Sequence, residues 1–546
     1  MTGATAPDVS VVVVSHNDAE RLPRAIRSIQ SQTLQSLEII VVDDGSTDGT
    51  ADIVLAIAEA DPRIRFARLS ANSGSASAPR NHGLDLAGAP WVMFCDSDDE
   101  YERDACKVLL DAAETTGSDI VCGTAVRVNV HTGRVKRWRP DLHERMQVVD
   151  RLGDLPELLY DTISVNKIYR RELLLERGVR FPEGLLFEDQ LFTLEAMAAA
   201  RRLAVIPDTV YRWYVDRLSD DPSITQRRRE ARNVESRIEI NRRIDDFLAA
   251  HPDPRLRREK DLKFFRHDLY LYLSTMLDVD DETASVLMDR LVPYVSVVDV
   301  TSAWEVRPGL RIAIYHLLQH DLEGVRAAMR HLRWAGVVDR PVVAVDGREL
   351  WDCSHRVGGP PAGGFAADVW LDVTELGLLD KPFPERRYLH RVESIEVVGP
   401  RVVVHGSSVD YDGALGGAEE ISLQWRSRSG RRASTLACRW TGEDGARRRW
   451  SADGVVSGGA RAPRPGDRGP LVLAVRSGGQ TNRTAVRVEN PSALREEIPG
   501  GNGVRLRLSP SIRNSVVWRV VGSPVPAGRL VRAWARLRTG MRRRFG

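Results

Sequence analysis

Trp91-Val-Met-Phe-Cys-Asp-Ser-Asp-Asp99 joins an apolar run directly to a cluster of acids. The apolar half reads as a strand buried on both faces, and the acids as the turn at its carboxyl end. Working back toward residue 1, Val9-Ser-Val-Val-Val-Val14 is a β-branched run of the same kind. Leu37-Glu-Ile-Ile-Val-Val42 is another, ending in Asp43-Asp44-Gly45, and Ile64–Leu69 fits a further strand. Between them Leu22, Ile26 and Ile29, then Ile53, Val54 and Ile57, recur at helical spacing. Asn17, Asp18 and Asp48 are the residue types that cap such helices. Strands alternating with helices predict an α/β domain with an open, mostly parallel sheet. Sheets of that class bind ligands beyond the carboxyl ends of their strands, where both Asp44 and Asp96–Asp99 fall.

Working outward in the other direction, residues 226–335 carry long mixed-charge stretches such as Lys260–Leu277 and Leu310–Leu332, which predict a helical segment. Composition changes near Asp339. Short runs at Val342–Val345, Val369–Val373, Ile395–Val398, Val402–His405, Ile421–Arg426, Leu471–Arg476 and Ala485–Val488 follow, separated by glycine-rich turns such as Ser429-Gly430. They predict small β-sandwich modules. The expected division is 1–225 for the α/β domain, 226–335 helical, 336–390 and 391–495 β-rich, and 496–546 a terminal segment. Within that segment Arg529, Arg532, Arg536, Arg538 and Arg542–Arg544 alternate with Leu530, Trp534, Leu537 and Phe545. Such a basic amphipathic stretch suits an anionic membrane surface.

Composition narrows the classes. At 546 residues the chain needs more than one core. A formal net charge of +2 gives no chain-wide surface for nucleic acid, which is not expected as a partner. Cys95, Cys106, Cys122, Cys353 and Cys438 are widely spaced, without a CxxC pair, so buried reduced thiols are expected rather than disulfides or zinc. The first apolar run lacks the basic flank of a signal peptide, and no apolar run reaches the ~20 residues of a membrane span. A cytoplasmic protein is expected, held peripherally at the inner face of the membrane if its tail binds there.

Asp96-Ser-Asp98 carries the chemistry. Two acids separated by one residue at a strand end can point to the same side of the backbone. One can hold a hard cation, Mn²⁺ or Mg²⁺, while the other takes a ribose hydroxyl.

The sequence here resembles the inverting family 2 glycosyltransferases, which have the GT-A nucleotide-sugar-binding fold. The resemblance is carried by Val9–Asn17, Val41-Val-Asp-Asp-Gly-Ser-Thr-Asp-Gly-Thr50, Asn72-Ser-Gly74 with Arg80-Asn-His-Gly83, and Phe94–Asp99. Asn166-Lys-Ile-Tyr169, Phe187-Glu-Asp-Gln190 and Tyr211–Thr225 continue it. It implies that Asp44 bonds a uracil ring and that Val14 and His16 stand where the family has Pro or Thr and Tyr. Asn72 and Arg80 would lie near base and diphosphate, Arg80 having the alternative of an ion pair within the sheet. Asp96 and Ser97 would meet the donor, with Asp98 and Asp96 at the metal. Asp189 would be the general base and Glu188 its companion. Tyr211–Thr225 would be a loop closing over the donor, with Arg217 and Ser223 at the diphosphate, and Lys167 would be either on the acceptor side or a surface lysine.

The layout is also similar to that of bacterial wall teichoic acid (polyol-phosphate) glycosyltransferases. It implies a UDP-sugar donor, a polymeric or lipid-linked glycan acceptor, and a homo-oligomer built through the C-terminal modules. Two rivals remain at this stage. A sugar nucleotidyltransferase would open with a glycine-rich loop, which Ser15-His-Asn-Asp18 lacks. A non-catalytic polymer-binding scaffold with a decayed site would not need Asp96, Asp98 and Asp189.

Overall fold

Every residue of strand β1 (Val9–Ser15) is buried, as a valine run inside a parallel sheet requires. Beside it lie β2 (Leu37–Asp43), β3 (Ile64–Arg68) and β4 (Trp91–Asp96). β5 (Glu100–Tyr101), β6 (Ile120–Asn129), β7 (Val135–Arg137), β8 (Gln147–Val149), β9 (Lys167–Arg170) and β10 (Leu203–Val215) complete one sheet. Its order is β3-β2-β1-β4-β9-β6-β10-β5, with β7 on β6 and β8 on β10. β3, β2, β1 and β4 run parallel, as do β6 and β10, while β9 is antiparallel to β4 and β6. The register sets Ser15 beside Asp43 and Val14 beside Asp96, so the acidic strand ends open on the same edge.

This computed structural model describes residues 6–216, 227–334, 336–351, 361–398, 401–426, 432–455, 468–488, 497–499, 505–510 and 516–522. The chain divides into two units between Val306 and Arg307. The helical stretch expected over 226–335 is therefore shared out. Helices α1 (Leu22–Gln30), α2 (Thr50–Ala60), α3 (Ser77–Leu86), α4 (Ala105–Thr116), α5 (Arg171–Glu176) and α6 (Asp189–Ala199) belong to the first unit. So do α7 (Ala231–Ala249), α8 (Pro254–Lys263), α9 (Tyr270–Thr275) and α10 (Asp281–Val295), a π-helical turn at Phe264–Leu269 joining α8 to α9. Helices α11 (Pro308–Leu318) and α12 (Leu322–Arg333) belong to the second unit.

Asn17 and Asp18 do not cap α1. The residue before that helix is Arg21, and no side chain bonds its first amides. Asp18 accepts instead from Arg21 Nε at 2.6 Å and from Ser97 Oγ at 2.5 Å. Asp48 is not the cap of α2 either, since Gly49 stands at that position, but it accepts from the Thr50 amide at 3.1 Å.

In the second unit β11 (Val342–Val345) and β12 (Arg348–Trp351) form a hairpin, and α13 spans Ala367–Leu371. The apolar run at Val369–Val373 is thus not a strand. Ala367, Trp370 and Leu371 are the buried residues, which is helical spacing. The expected C-terminal β module is present. Its strands are β13 (Leu389–Val398), β14 (Arg401–Val409), β15 (Glu420–Arg426), β16 (Arg432–Asp444), β17 (Arg447–Val455), β18 (Arg468–Ser477) and β19 (Gln480–Val488). They pair as β15-β16-β17-β14-β13-β19-β18, and β18 pairs back on β15, closing the sheet on itself around Trp425 and Trp450. β20 (Glu497–Pro499), β21 (Arg505–Pro510) and β22 (Val516–Gly522) extend it from β18. The Ser429-Gly430 turn and the arginine-rich tail lie outside the described residues. Among those described, no helix is long and apolar enough to cross a membrane.

Gly83 fixes how α3 sits on this sheet. A Cβ there would stand 2.2 Å from Val12 Cγ1, so the helix lies directly on β1. Overpacking of that kind costs about 1–3 kcal/mol. Gly83→Ala is expected to lower unfolding free energy by that amount in urea titration, and an unchanged midpoint would refute the close packing.

Candidate active site

β4 delivers Asp96 to the sheet edge, and α3 lies across β1 with Arg80 on its buried side. Arg80 is 3% exposed. Its Nη2 donates to Asp96 Oδ1 at 2.7 Å, and its Nη1 to Glu188 Oε1 at 2.7 Å and Asp189 Oδ1 at 2.9 Å. The guanidinium thus joins the end of β4 to the start of α6, with the Phe181 ring 5.1 Å from its Cζ. Phe181 stacks on Phe192 at 3.7 Å, and Phe94 meets both edge-on, giving the charged cluster an aromatic floor. Asn81, next along α3, holds the segment before α6. Its amide oxygen accepts from the Phe181 N–H and its Nδ2 donates to the Phe181 carbonyl, both at 2.9 Å. Of the two readings of Arg80, the ion pair is what these contacts describe.

The chain reaches α6 through Phe187, whose φ of 67° is left-handed. For a bulky residue this costs about 1–2 kcal/mol. The turn sets Glu188 and Asp189 side by side at the helix start. Glu188 is the more enclosed, its side chain 8% exposed against 24% for Asp189. Ser164 Oγ donates to Asp189 Oδ1 at 2.9 Å. Burial pushes the Glu188 carboxyl up to about 7 and raises that of Asp189, in each case against the pull of Arg80.

On the other side of Arg80 the acids crowd together. Burial, then the charge on Asp96, pushes Asp98 up to about 6, although its side chain keeps 39% of its surface open. Burial and Asp98 raise Asp99 well above the usual carboxylate range. Arg21 Nη1 lies 3.5 Å from Asp98 Oδ2, and Arg24 Nη2 donates to the Asp98 carbonyl at 2.5 Å. The Tyr214 N–H donates to Asp99 Oδ1 at 2.8 Å, and the Asp96 N–H to the Tyr211 hydroxyl at 3.2 Å. Among the described residues no group of His, Cys, Asp and Glu forms a complete metal cage. The donor set still fits a hard cation. Asp96 and Asp98 present carboxylate oxygens, and Mg²⁺ or Mn²⁺ draws its remaining ligands from phosphate and water.

A second cluster lies at the ends of β1 and β2. His16 Nδ1 lies 2.8 Å from the Asp44 carbonyl oxygen, and Asn72 Nδ2 lies 2.9 Å from His16 Nε2. The Asp44 carboxylate accepts from the Ser73 amide at 3.0 Å and from Ser73 Oγ at 3.0 Å. Gly45, at φ 69°, lets this turn touch the opposite loop, since a Cβ there would lie 2.8 Å from Asn72 N. The structure therefore brings His16, Asp44 and Asn72 together. The Val14 side chain is buried beside them.

Several expectations change. Tyr211–Val215 is the end of β10 rather than loop, because pairing with β6 continues to Val215 opposite Asn129. Arg217 and Ser223 lie outside the described residues. Lys167 is not a surface lysine. It is fully buried, donating to Asp161 Oδ2 at 2.9 Å, Asn166 Oδ1 at 2.8 Å and the Ile163 carbonyl at 2.6 Å. Arg21, Arg24 and Ser164 were not singled out in the sequence, while Asp18 was read there as a helix cap, and Ser73 and Tyr211 only as parts of wider motifs. Arg21 and Arg24 were legible as the basic pair flanking the apolar face of α1, but nothing local marked Ser164.

Residues 10–178 match Glycosyl transferase family 2. The chain is 30% identical over 210 residues to the poly(ribitol-phosphate) β-N-acetylglucosaminyltransferase TarP of Staphylococcus aureus, covering 38% of this chain and 62% of that one. It is thus similar to rather less than two thirds of that relative's length. In fold, it is similar to S. aureus TarS 1–349 in complex with UDP-GlcNAc, with a TM-score of 0.51, 23% identity, and coverage of 66% of this chain and 99% of that one. It is also similar to longer S. aureus TarS, with a TM-score of 0.52, 19% identity, and coverage of 95% and 86%. The α/β unit with its acidic strand ends has the GT-A type of fold, and its segment from residue 10 to residue 178 is similar to family 2 glycosyltransferase domains.

Proposed function

We propose that this chain transfers a hexose or N-acetylhexosamine from a UDP-sugar to a cell-surface glycopolymer, teichoic-acid-like or polysaccharide, or to its lipid-linked precursor, inverting the anomeric centre. The observation that carries the reading is the Arg80 guanidinium, which holds Asp96 and the Glu188–Asp189 pair within one hydrogen-bonded group. A diphosphate site and a proton acceptor are then fixed relative to each other, as displacement at a sugar carbon requires. The TarP and TarS likenesses support the polymer acceptor and the UDP-sugar donor.

His16, Asp44 and Asn72 form the uracil end of the donor site, with Val14 beneath them. Asp96 and Ser97 face the ribose, and Arg217 and Ser223 belong to the diphosphate. Asp189, the more open carboxylate, removes the proton from the acceptor hydroxyl as it attacks. Glu188 stays enclosed and shapes the affinity of Asp189 for that proton. Asp98 and Asp96 would hold Mn²⁺ or Mg²⁺, which when bound supplies charge neutralisation for the departing diphosphate. The second unit is read as the assembly or polymer-binding part, and the basic tail as a weak attachment to the inner face of the membrane.

Asp98→Ala is expected to leave circular dichroism unchanged and to lower UDP release by at least ~100-fold. Wild-type turnover undiminished in excess chelator would contradict the metal. Asp189→Asn should bind UDP-sugar normally and lose transfer, whereas weakened donor affinity with near-normal turnover would make Asp189 a binding residue.

The pH dependence has a fixed sign. Both carboxyls are raised, Glu188 to about 7, so the pair takes up a proton as pH falls below neutrality. Turnover should decline on that acid limb. Glu188→Gln removes a neighbouring negative charge, so the limb is expected at lower pH. A limb that stays in place would separate Glu188 from the base.

A further inference from the structure

The pair Glu188–Asp189 is gripped from both sides by the helices that follow the sheet domain. Before it, the Phe187 ring lies 3.4 Å from Arg237 Cζ on α7. After it, Gln190 accepts a hydrogen bond from Lys263 Nζ at the end of α8. Asp268, in the π-helical turn, ties these two cations together. Arg237 Nη1 donates to its Oδ1 at 3.0 Å, and Lys263 Nζ lies 3.5 Å from its Oδ2. Arg237, Lys263 and Asp268 are all buried, and burial lowers the Lys263 ammonium. A π-helical turn inserted between two α-helices shifts the register of the side chains around it, and here it carries Asp268.

The geometry points to Arg237 as a positioning residue for Asp189. Phe187 holds a left-handed backbone that an aromatic residue rarely adopts. Such a conformation persists only where its surroundings over-determine it. The flat guanidinium against the ring supplies that constraint. Arg237 is in turn held by Asp268, so it cannot swing away with the ring. If Phe187 relaxed to an ordinary backbone angle, the following residues would turn with it. Glu188 and Asp189 would then leave the Arg80 fork. The assignment rests on Asp189 being the general base, and it adds that the base is aimed by a residue far along the chain that touches no substrate.

The test uses the full chain, steady-state transfer from a UDP-sugar, and calorimetric binding of UDP. Arg237→Ala is expected to lower kcat on the order of 100-fold, the effect of misplacing a reacting group by about 1 Å. Donor KM and UDP affinity should not change. Adding Phe187→Asn to that variant should restore most of the lost kcat, since Asn tolerates the left-handed region without a clamp. Arg237→Lys keeps the charge toward Asp268 but lacks the flat face, so it should fold and still lose kcat. Normal kcat in Arg237→Lys and Arg237→Ala, or a loss that Phe187→Asn does not relieve, overturns the assignment. Asp189→Asn run alongside separates the two claims. Turnover in that variant removes the base itself, whereas an inactive Asp189→Asn with a normal Arg237→Ala removes only the positioning role.

Discussion

One buried guanidinium meets three carboxylates. Arg80 is nearly inaccessible to water and bonds Asp96, Glu188 and Asp189. Taking such a charge out of water is repaid only when geometry and hydrogen bonding are good, and losing one partner of a buried pair costs ~3–5 kcal/mol. The surrounding structure serves that geometry. Gly83 brings α3 onto β1, Asn81 ties the chain before α6, and Phe94, Phe181 and Phe192 pack beneath. Opposite charges around one fork also explain why the carboxyls stay close together. Without Arg80, Asp96 and the pair at α6 would repel one another across the crevice.

What was legible in the sequence was local. β1, β2 and β4 are continuous apolar runs, and β2 and β4 end in acids, so the sheet and the position of Asp44 and Asp96 follow from periodicity alone. The partners of Arg80 could not be read that way, because Glu188 and Asp189 stand more than a hundred residues along the chain. Lys167 was misplaced for a related reason. A lysine usually faces water, but Asp161, Asn166 and backbone carbonyls enclose this one. Asp18 has the chemistry of a cap and was expected to act as one, yet Arg21 and Ser97 occupy its carboxylate.

In the second unit the apolar runs located β11, β13, β14, β15, β18 and β19, while β12, β16, β17 and β20 to β22 escaped notice. Arg447, Arg448 and Arg449 mask the alternation in β17, where Trp450 and Ala452 point inward. Val369 and Val373 suggested a strand until tertiary packing favoured the helical set Ala367, Trp370 and Leu371. Closure of the sheet through β15 and β18 is a non-local pairing that no single run announces. Phe187 belongs with these cases. Its backbone angle is set by Arg237, and a phenylalanine in sequence gives no hint of it.

The central claim is that Arg80 organises the two halves of the site rather than serving as a diphosphate ligand. The most direct measurement is the pH profile of turnover for Arg80→Lys, taken together with UDP affinity. A lysine keeps the charge but cannot reach all three carboxylates, so the Glu188–Asp189 pair loses part of the partner that holds it ionised. Turnover is expected to fall with the acid limb displaced to higher pH, and UDP to bind about as well as before. An acid limb left in place, with UDP affinity weakened by the same factor as turnover, would contradict that claim.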